Sequence, residues 1–233
     1  MVRSISRTNI LILIILAIII LLSFILRALP ALYMDFNPYG LNPDPDTHYI
    51  YRQIEVMVSN FPQYNWFDPM TAFPFGKHID WGPLFPFIAA LLAVLSGATE
   101  RFDILAIASW ANVLLALLMI PVVFFLTRLL SEWKTGIIAA IFIALVSGEY
   151  FLRSSFGPLD HHIAEVLFTT LFCLGYIWLL RKSNNEEIDI RKPLTATNFI
   201  LPSILTGLLL GASLLASLTC LLFVLIMAVY ILL

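Results

Sequence analysis

Residues 10–26 read ILILIILAIIILLSFIL, without a charge from Ile10 to Leu26. The apolar character continues through Arg27 to Leu29, and a helix needs about 20 mostly apolar residues to cross the hydrocarbon of a bilayer. Arg3 and Arg7 precede the run, as in a signal peptide. The run is longer than the roughly 7–15 residues of a signal core, and further apolar runs follow, so a retained span is predicted. The whole chain agrees: of 233 residues 61% are apolar and 12% charged, and mean hydropathy is +0.94. Soluble domains carry about a quarter charged residues. A disordered chain, a basic nucleic-acid binder and an ordinary soluble enzyme are excluded. The expectation is an all-α polytopic membrane protein. Its net charge of −2 says nothing about partners.

Working outward, spans are expected at about 10–29, 104–126, 135–151 and 163–180. The last apolar run, Phe199–Leu233, divides into 199–215 and 217–233 with a break near Ser213–Ser217. Cys173 and Cys220 lie within these runs and read as small core residues, not as a disulfide or zinc framework. Pro83–Ala98 is shorter. As a helix it reaches about 24 Å, against a hydrocarbon core of about 30 Å.

Charge decides its placement. If 83–98 does not cross and the N-terminus is cytoplasmic, Arg3, Arg7, Arg128, Lys134, Arg181, Lys182, Arg191 and Lys192 lie inside, eight of the 13 basic residues. If it crosses, only Arg3, Arg7, Arg101 and Arg153 do. Short cytoplasmic loops are rich in Lys and Arg, which favours a re-entrant or interfacial helix at 83–98. It belongs to a large first external loop, about 30–103, and a second external loop follows at about 149–162. Both loops, and all four histidines, then share one face. Asn184–Lys192 reads as a cytoplasmic linker. The chain stops at Leu233 within an apolar run, and an N-terminal fragment of a longer protein is expected.

The first loop holds seven of the 13 prolines and is dense in aromatics between Pro30 and Trp81, which argues for ordered structure at the bilayer surface. Within it, Asn42-Pro-Asp-Pro-Asp-Thr-His-Tyr-Ile-Tyr-Arg52 offers Asp44 and Asp46 as oxygen ligands for Mg²⁺ or Mn²⁺. Asp-Pro also marks ordinary turns, and a solvated turn entering a helix at Thr47 explains the same residues. The second loop carries Arg153-Ser-Ser-Phe-Gly-Pro-Leu-Asp160-His161-His162. Asp160 suits a helix cap. Two histidines and a carboxylate at a membrane edge equally suit an ion, with Asp160 and His162 converging and His161 facing Glu165 one turn on. Glu149 and Arg153, spaced i, i+4, either pair as a surface salt bridge or leave Arg153 free for a phosphate. There is no nucleotide-binding glycine loop, Gly-x-Ser-x-Gly elbow, His-Glu-x-x-His or Cys-x-x-Cys. A phosphate would need a metal ion or an arginine.

Three features together resemble the catalytic oligosaccharyltransferase subunit of the STT3 family in its archaeal, AglB-type form. They are Asp46 followed by Tyr51-Arg52, then Trp81-Gly-Pro-Leu-Phe-Pro leading into a short apolar helix, then Arg153 followed by Asp160-His161-His162. The resemblance covers about Pro30–Glu165. It implies a GT-C-type glycosyltransferase transmembrane domain and an inverting transfer of an oligosaccharide from a dolichyl (pyro)phosphate carrier to an acceptor polypeptide at Asn-x-Ser/Thr. It further implies Mn²⁺ or Mg²⁺ held by Asp46, Asp160 and His162, with Asp46 accepting the asparagine N–H and Arg153 assisting at the phosphate. Asp44, His161 and Glu165 are secondary candidates. Partners are the lipid-linked glycan, the acceptor polypeptide and membrane lipids, with no nucleic acid. The site faces outward from a multi-pass protein of the cell membrane. Family members continue into further spans and a soluble domain with a Trp-Trp-Asp motif, neither found here, so this chain alone is expected to be inactive or partly competent. Two other readings stand beside this one. One is a GT-C polyprenyl-phosphate-sugar transferase with a non-protein acceptor. The other is a non-catalytic transporter or assembly subunit with Asp160 as a helix cap.

Overall fold

A computed structural model describes residues 7–34, 45–185 and 199–232. Helices dominate. In chain order they are α1 (Arg7–Ala28), α2 (Pro45–Ser59), α3 (Leu84–Ser96), α4 (Arg101–Ala108), α5 (Trp110–Leu130), α6 (Trp133–Leu145), α7 (Glu149–Ser154), α8 (His162–Asn185), α9 (Ile200–Ala216) and α10 (Leu221–Leu232). Between α2 and α3, β1 (Phe67–Asp68) and β2 (Lys77–His78) form a two-residue antiparallel ladder. Among the described residues three helical stretches are long and apolar enough to cross a membrane: Arg7–Leu32, Arg101–Leu130 and His162–Lys182. The apolar helices at 84–96, 133–145, 200–216 and 218–230 are shorter.

Helical periodicity explains which face of α1 is covered. Ile12, Leu16, Ile19, Ser23 and Arg27 recur at three- and four-residue steps and are its buried residues. The first three join Ile120 and Phe124 of α5 and Ala140 and Ala144 of α6 in one apolar cluster. The same register carries Arg27 inward, where it is fully buried. Its guanidinium donates from Nη1 to the Ala144 carbonyl at 2.7 Å and to Ser23 Oγ at 2.5 Å, and from Nε to Ser154 Oγ at 2.9 Å. It also lies over the rings of Phe151 and Tyr150, at 5.0 and 5.6 Å.

This cation alters the expected span at 135–151. α6 ends at Leu145 after 13 residues, a length of about 20 Å. Arg27 takes up a carbonyl of its last turn, an end that also attracts positive charge. Gly148, at φ 93°, then turns the chain into α7. The predicted break in the last run falls at its C-terminal limit, Ser217, followed by a 3-10 turn at Leu218–Cys220.

From residue 45 onward the first loop is an ordered layer. Ile50, Ile54 and Met57 of α2 meet Phe85, Ala89 and Ala93 of α3 in a second cluster, which includes Leu105 and Ala108 of α4 and Leu159, Ile163 and Leu167 around the start of α8. Gly97, at φ 75°, ends α3 with its N–H returned to the last helical turn. Tyr51 and Arg52 act as clamps. The Tyr51 hydroxyl donates to the Arg101 carbonyl at 2.6 Å, and Arg52 Nη2 meets Asp68 Oδ1 at 2.8 Å. Gly82 seats this layer on α9: a Cβ there would overlap the Leu215 carbonyl. Both cysteines are free thiols.

Candidate active site

Asp160 ends the strap that follows α7 and is 1% exposed. Its Oδ1 accepts the His162 N–H at 2.8 Å, which caps α8 as expected. Its Oδ2 accepts from Arg153 Nη1, and Arg153 Nε donates to Glu149 at 3.0 Å. The bond to Glu149, then that to Asp160, holds the Arg153 pKa above its ordinary value. The expectation of an Arg153 free to meet a phosphate is therefore corrected: Arg153 bridges two carboxylates. The strap is held from behind. Asn112 of α5 donates to the Arg153 carbonyl at 2.5 Å, and the Phe156 N–H donates to the Arg27 carbonyl at 2.9 Å.

His161 occupies a turn just before α8, so the i, i+4 rule does not bring it to Glu165. Instead His162 Nδ1 lies 2.9 Å from Glu165 Oε2, and Glu165 Oε1 accepts from the Thr219 hydroxyl. The His161 ring stacks between Trp81 and His162, with centroids 4.7 and 4.3 Å away. Burial, followed by the neighbouring His162, lowers the His161 pKa and favours the neutral imidazole. Its Nδ1 is buried without a hydrogen-bond partner, 3.9 Å from Asp160 Oδ1. Ligand atoms of Asp160, His161 and His162 all lie within 4.8 Å of one another.

Asp46 is not a member of that group. It lies in the first turn of α2 and lines a cleft of about 330 Å³ with Tyr49, Thr71, Asp80 and Trp81. Trp81 links the two places. Its ring packs on His161 and meets Tyr49 edge-on, 5.4 Å between centroids, while its carbonyl lies 3.2 Å from the Tyr64 hydroxyl. Asp46 also reaches His161 electrostatically, favouring its protonated form. A second cleft, of about 390 Å³, is lined by Tyr150, Arg153, His162, Ile163, Glu165 and Val166. Of the other expected residues, Asp44 lies outside the described ones. His78 lines the Asp46 cleft, and His48 is exposed on α2. The sequence reading left Arg27, Asn112 and Thr219 without a role. Only Arg27 carried a signal, as a charge within an apolar run.

A carboxylate beside two imidazoles and an arginine, at the head of a membrane-crossing helix, can bind a cation and an anionic oxygen together. Comparison with known proteins gives the family. The family model described as oligosaccharyl transferase STT3, N-terminal, matches residues 10–233. The chain is 32% identical over 166 residues to dolichyl-phosphooligosaccharide-protein glycotransferase 3 of Archaeoglobus fulgidus, covering 71% of this chain and 19% of that one. It is 29% identical over 146 residues to dolichyl-monophosphooligosaccharide–protein glycotransferase AglB of Haloferax volcanii, covering 61% and 14%. The chain thus spans about a fifth or less of these relatives. Among solved structures, AglB of A. fulgidus in complex with an inhibitory peptide and a dolichol-phosphate superposes with a TM-score of 0.81 at 26% identity, covering 91% of this chain and 24% of that one. The A. fulgidus oligosaccharyltransferase in complex with Zn and sulfate does so at 0.76 and 27%, covering 87% and 25%. The fold is of the GT-C type, and the chain belongs to the STT3 oligosaccharyltransferase family, matching its N-terminal region.

Proposed function

We propose that this chain forms the catalytic membrane layer of an oligosaccharyltransferase, with a cytoplasmic N-terminus and its site on the external face of a cell membrane. The reaction moves a glycan from a dolichyl (pyro)phosphate to the side-chain nitrogen of asparagine in Asn-x-Ser/Thr, inverting the sugar carbon. One observation carries the reading: the ring stack Trp81–His161–His162 runs from one cleft, lined by Trp81, to an unlike one, lined by His162. The cleft with Arg153, His162 and the apolar side chains Ile163 and Val166 suits a lipid-borne phosphate once a cation offsets Glu149 and Glu165, which also line it. The cleft with Asp46, Tyr49 and Thr71 suits a peptide carrying an amide.

The residues fit a divalent ion. Asp160 supplies a buried carboxylate, His161 a buried nitrogen without a partner, and His162 a second imidazole. The carboxylate oxygen suits Mn²⁺ or Mg²⁺, while the imidazole nitrogens suit ions such as Zn²⁺. Held by these residues, such an ion would supply positive charge to the departing phosphate. Arg153, anchored by Glu149, holds Asp160 in place at the edge of the phosphate cleft. Asp46 accepts an N–H of the asparagine amide and weakens its conjugation. Trp81 keeps the two substrates on their own sides of the stack.

Limited proteolysis of the external loops tests the reading. Mn²⁺ or Mg²⁺ should protect the wild-type chain, and Asp160→Ala should abolish protection while Asp46→Ala keeps it; a response in Asp160→Ala equal to wild type overturns the reading. In membranes expressing the gene's product, transfer from a dolichyl-linked donor to an Asn-x-Thr peptide should stop in Asp46→Ala, in Asp160→Ala and after chelation.

A further inference from the structure

Glu165 stands one turn into α8 and bonds in two directions. Oε2 lies 2.9 Å from His162 Nδ1, and Oε1 accepts from Thr219 Oγ1 across 54 positions of sequence. Thr219 belongs to the 3-10 turn at the α9–α10 break, where its N–H donates to Ser217 Oγ at 3.3 Å. The end of α9 that leads into this turn also receives Gly82, next to Trp81. A negative charge in the first turn of α8 would favour the helix dipole by itself. That role needs neither a ring nitrogen nor a hydroxyl from another helix. Both oxygens of Glu165 are engaged, so the carboxylate has one fixed orientation.

We propose that Glu165 is a positioning residue for His162: by accepting a hydrogen bond from Nδ1–H, with Thr219 as its anchor, it leaves Nε2 as the nitrogen offered to a divalent cation. This rests on the metal reading above. The second ring nitrogen of a metal-binding histidine commonly donates to a carboxylate, which fixes the tautomer and makes the other nitrogen a better donor. The orientation is thus tied to the corner between α9 and α10, not to α8 alone.

The test uses the whole chain in detergent micelles, with Mn²⁺ as the probe. Removing such a partner weakens metal binding about 10–100-fold. Glu165→Ala should show a loss of that size with the metal-free melting temperature unchanged. Glu165→Gln should lose less, because its amide oxygen still accepts from Nδ1–H, and Thr219→Val should lose affinity by leaving Glu165 unanchored. In the wild type without metal, ¹⁵N spectra of the His162 ring should report a protonated Nδ1. A ring protonated at Nε2 overturns the proposal, whether or not any variant folds. So does a Glu165→Ala chain that binds Mn²⁺ as tightly as wild type but melts lower, which would make Glu165 a pin between helices. Wild type and Asp160→Ala failing alike to bind Mn²⁺ would instead overturn the metal reading beneath it.

Discussion

Replacing Arg27 by methionine keeps most of the side-chain volume and removes every polar contact of a fully buried cation. The change deletes the donors to the Ala144 carbonyl, Ser23 Oγ and Ser154 Oγ. Ser154 Oγ retains a partner in the Phe151 carbonyl at 3.2 Å, so the groups that lose this donor are the Ala144 carbonyl and the buried Ser23 Oγ. A buried acceptor without a donor costs about 1–3 kcal/mol, and a hydrogen bond from a charged donor is worth about 1.5–3. The contacts over Phe151 and Tyr150 add about 0.5–2 kcal/mol. Methionine recovers part of this by burying an apolar chain, which leaves a net loss of about 3 kcal/mol. For a domain of this size that is roughly 6–12 °C in melting temperature. Cys220 is fully buried and provides the assay, since a thiol-reactive fluorophore labels it as the helices separate. Arg27→Lys should fall between the two, with the charge kept and the fork lost. If Arg27→Met melts with the wild type, the buried cation does not hold the α1–α6–α7 junction and the account of where α6 stops fails with it.

Asp68 accepts bonds from the Met70 N–H, the Thr71 hydroxyl and Arg52. Burial alone would push its carboxyl up; these partners outweigh it and hold it below the ordinary carboxylate range. A depressed folded pKa gives stability that is present above the unfolded value and lost as pH falls through the folded one. Protease cleavage between β1 and β2 should rise on acidification below about pH 4. Asp68→Ala should give the same cleavage at neutral pH, at a cost of about 1–3 kcal/mol; a pH-independent rate in wild type would refute this. Gly82→Ala drives a methyl into the Leu215 carbonyl, an overpacking worth about 1–3 kcal/mol. Tryptophan fluorescence should shift as Trp81 moves from His161, and an unchanged spectrum would mean that the loop does not bear on α9 as described.

The apolar runs, the structure of the first loop from residue 45 onward and the Asp160–His162 cluster were legible because composition and short spacing carry them. What the sequence hid came from distant partners. α6 stops short where a guanidinium 117 positions away meets one of its last carbonyls; Gly148 is the local mark of the turn, but nothing at 145–151 reveals the distant partner. The pairing of His162 with Glu165 was misread by one position because α8 begins at His162, leaving His161 outside the helical register. Tyr51-Arg52 served as a family mark, yet its contacts are to α4 and β1, which only the fold discloses. Asp46 and the histidines were expected on one face, and Trp81 supplies the wall between them. Nothing about an aromatic in a loop foretells that.

The α1–α6 junction has an electrical consequence. Arg27 brings one full positive charge, whereas a helix end offers about half a negative one. Its hydrogen-bond partners are hydroxyls and carbonyls, and its ring contacts are uncharged. Roughly half a unit therefore stays uncompensated behind the strap that carries Arg153 and Asp160, in surroundings of low permittivity where fields carry further than in water.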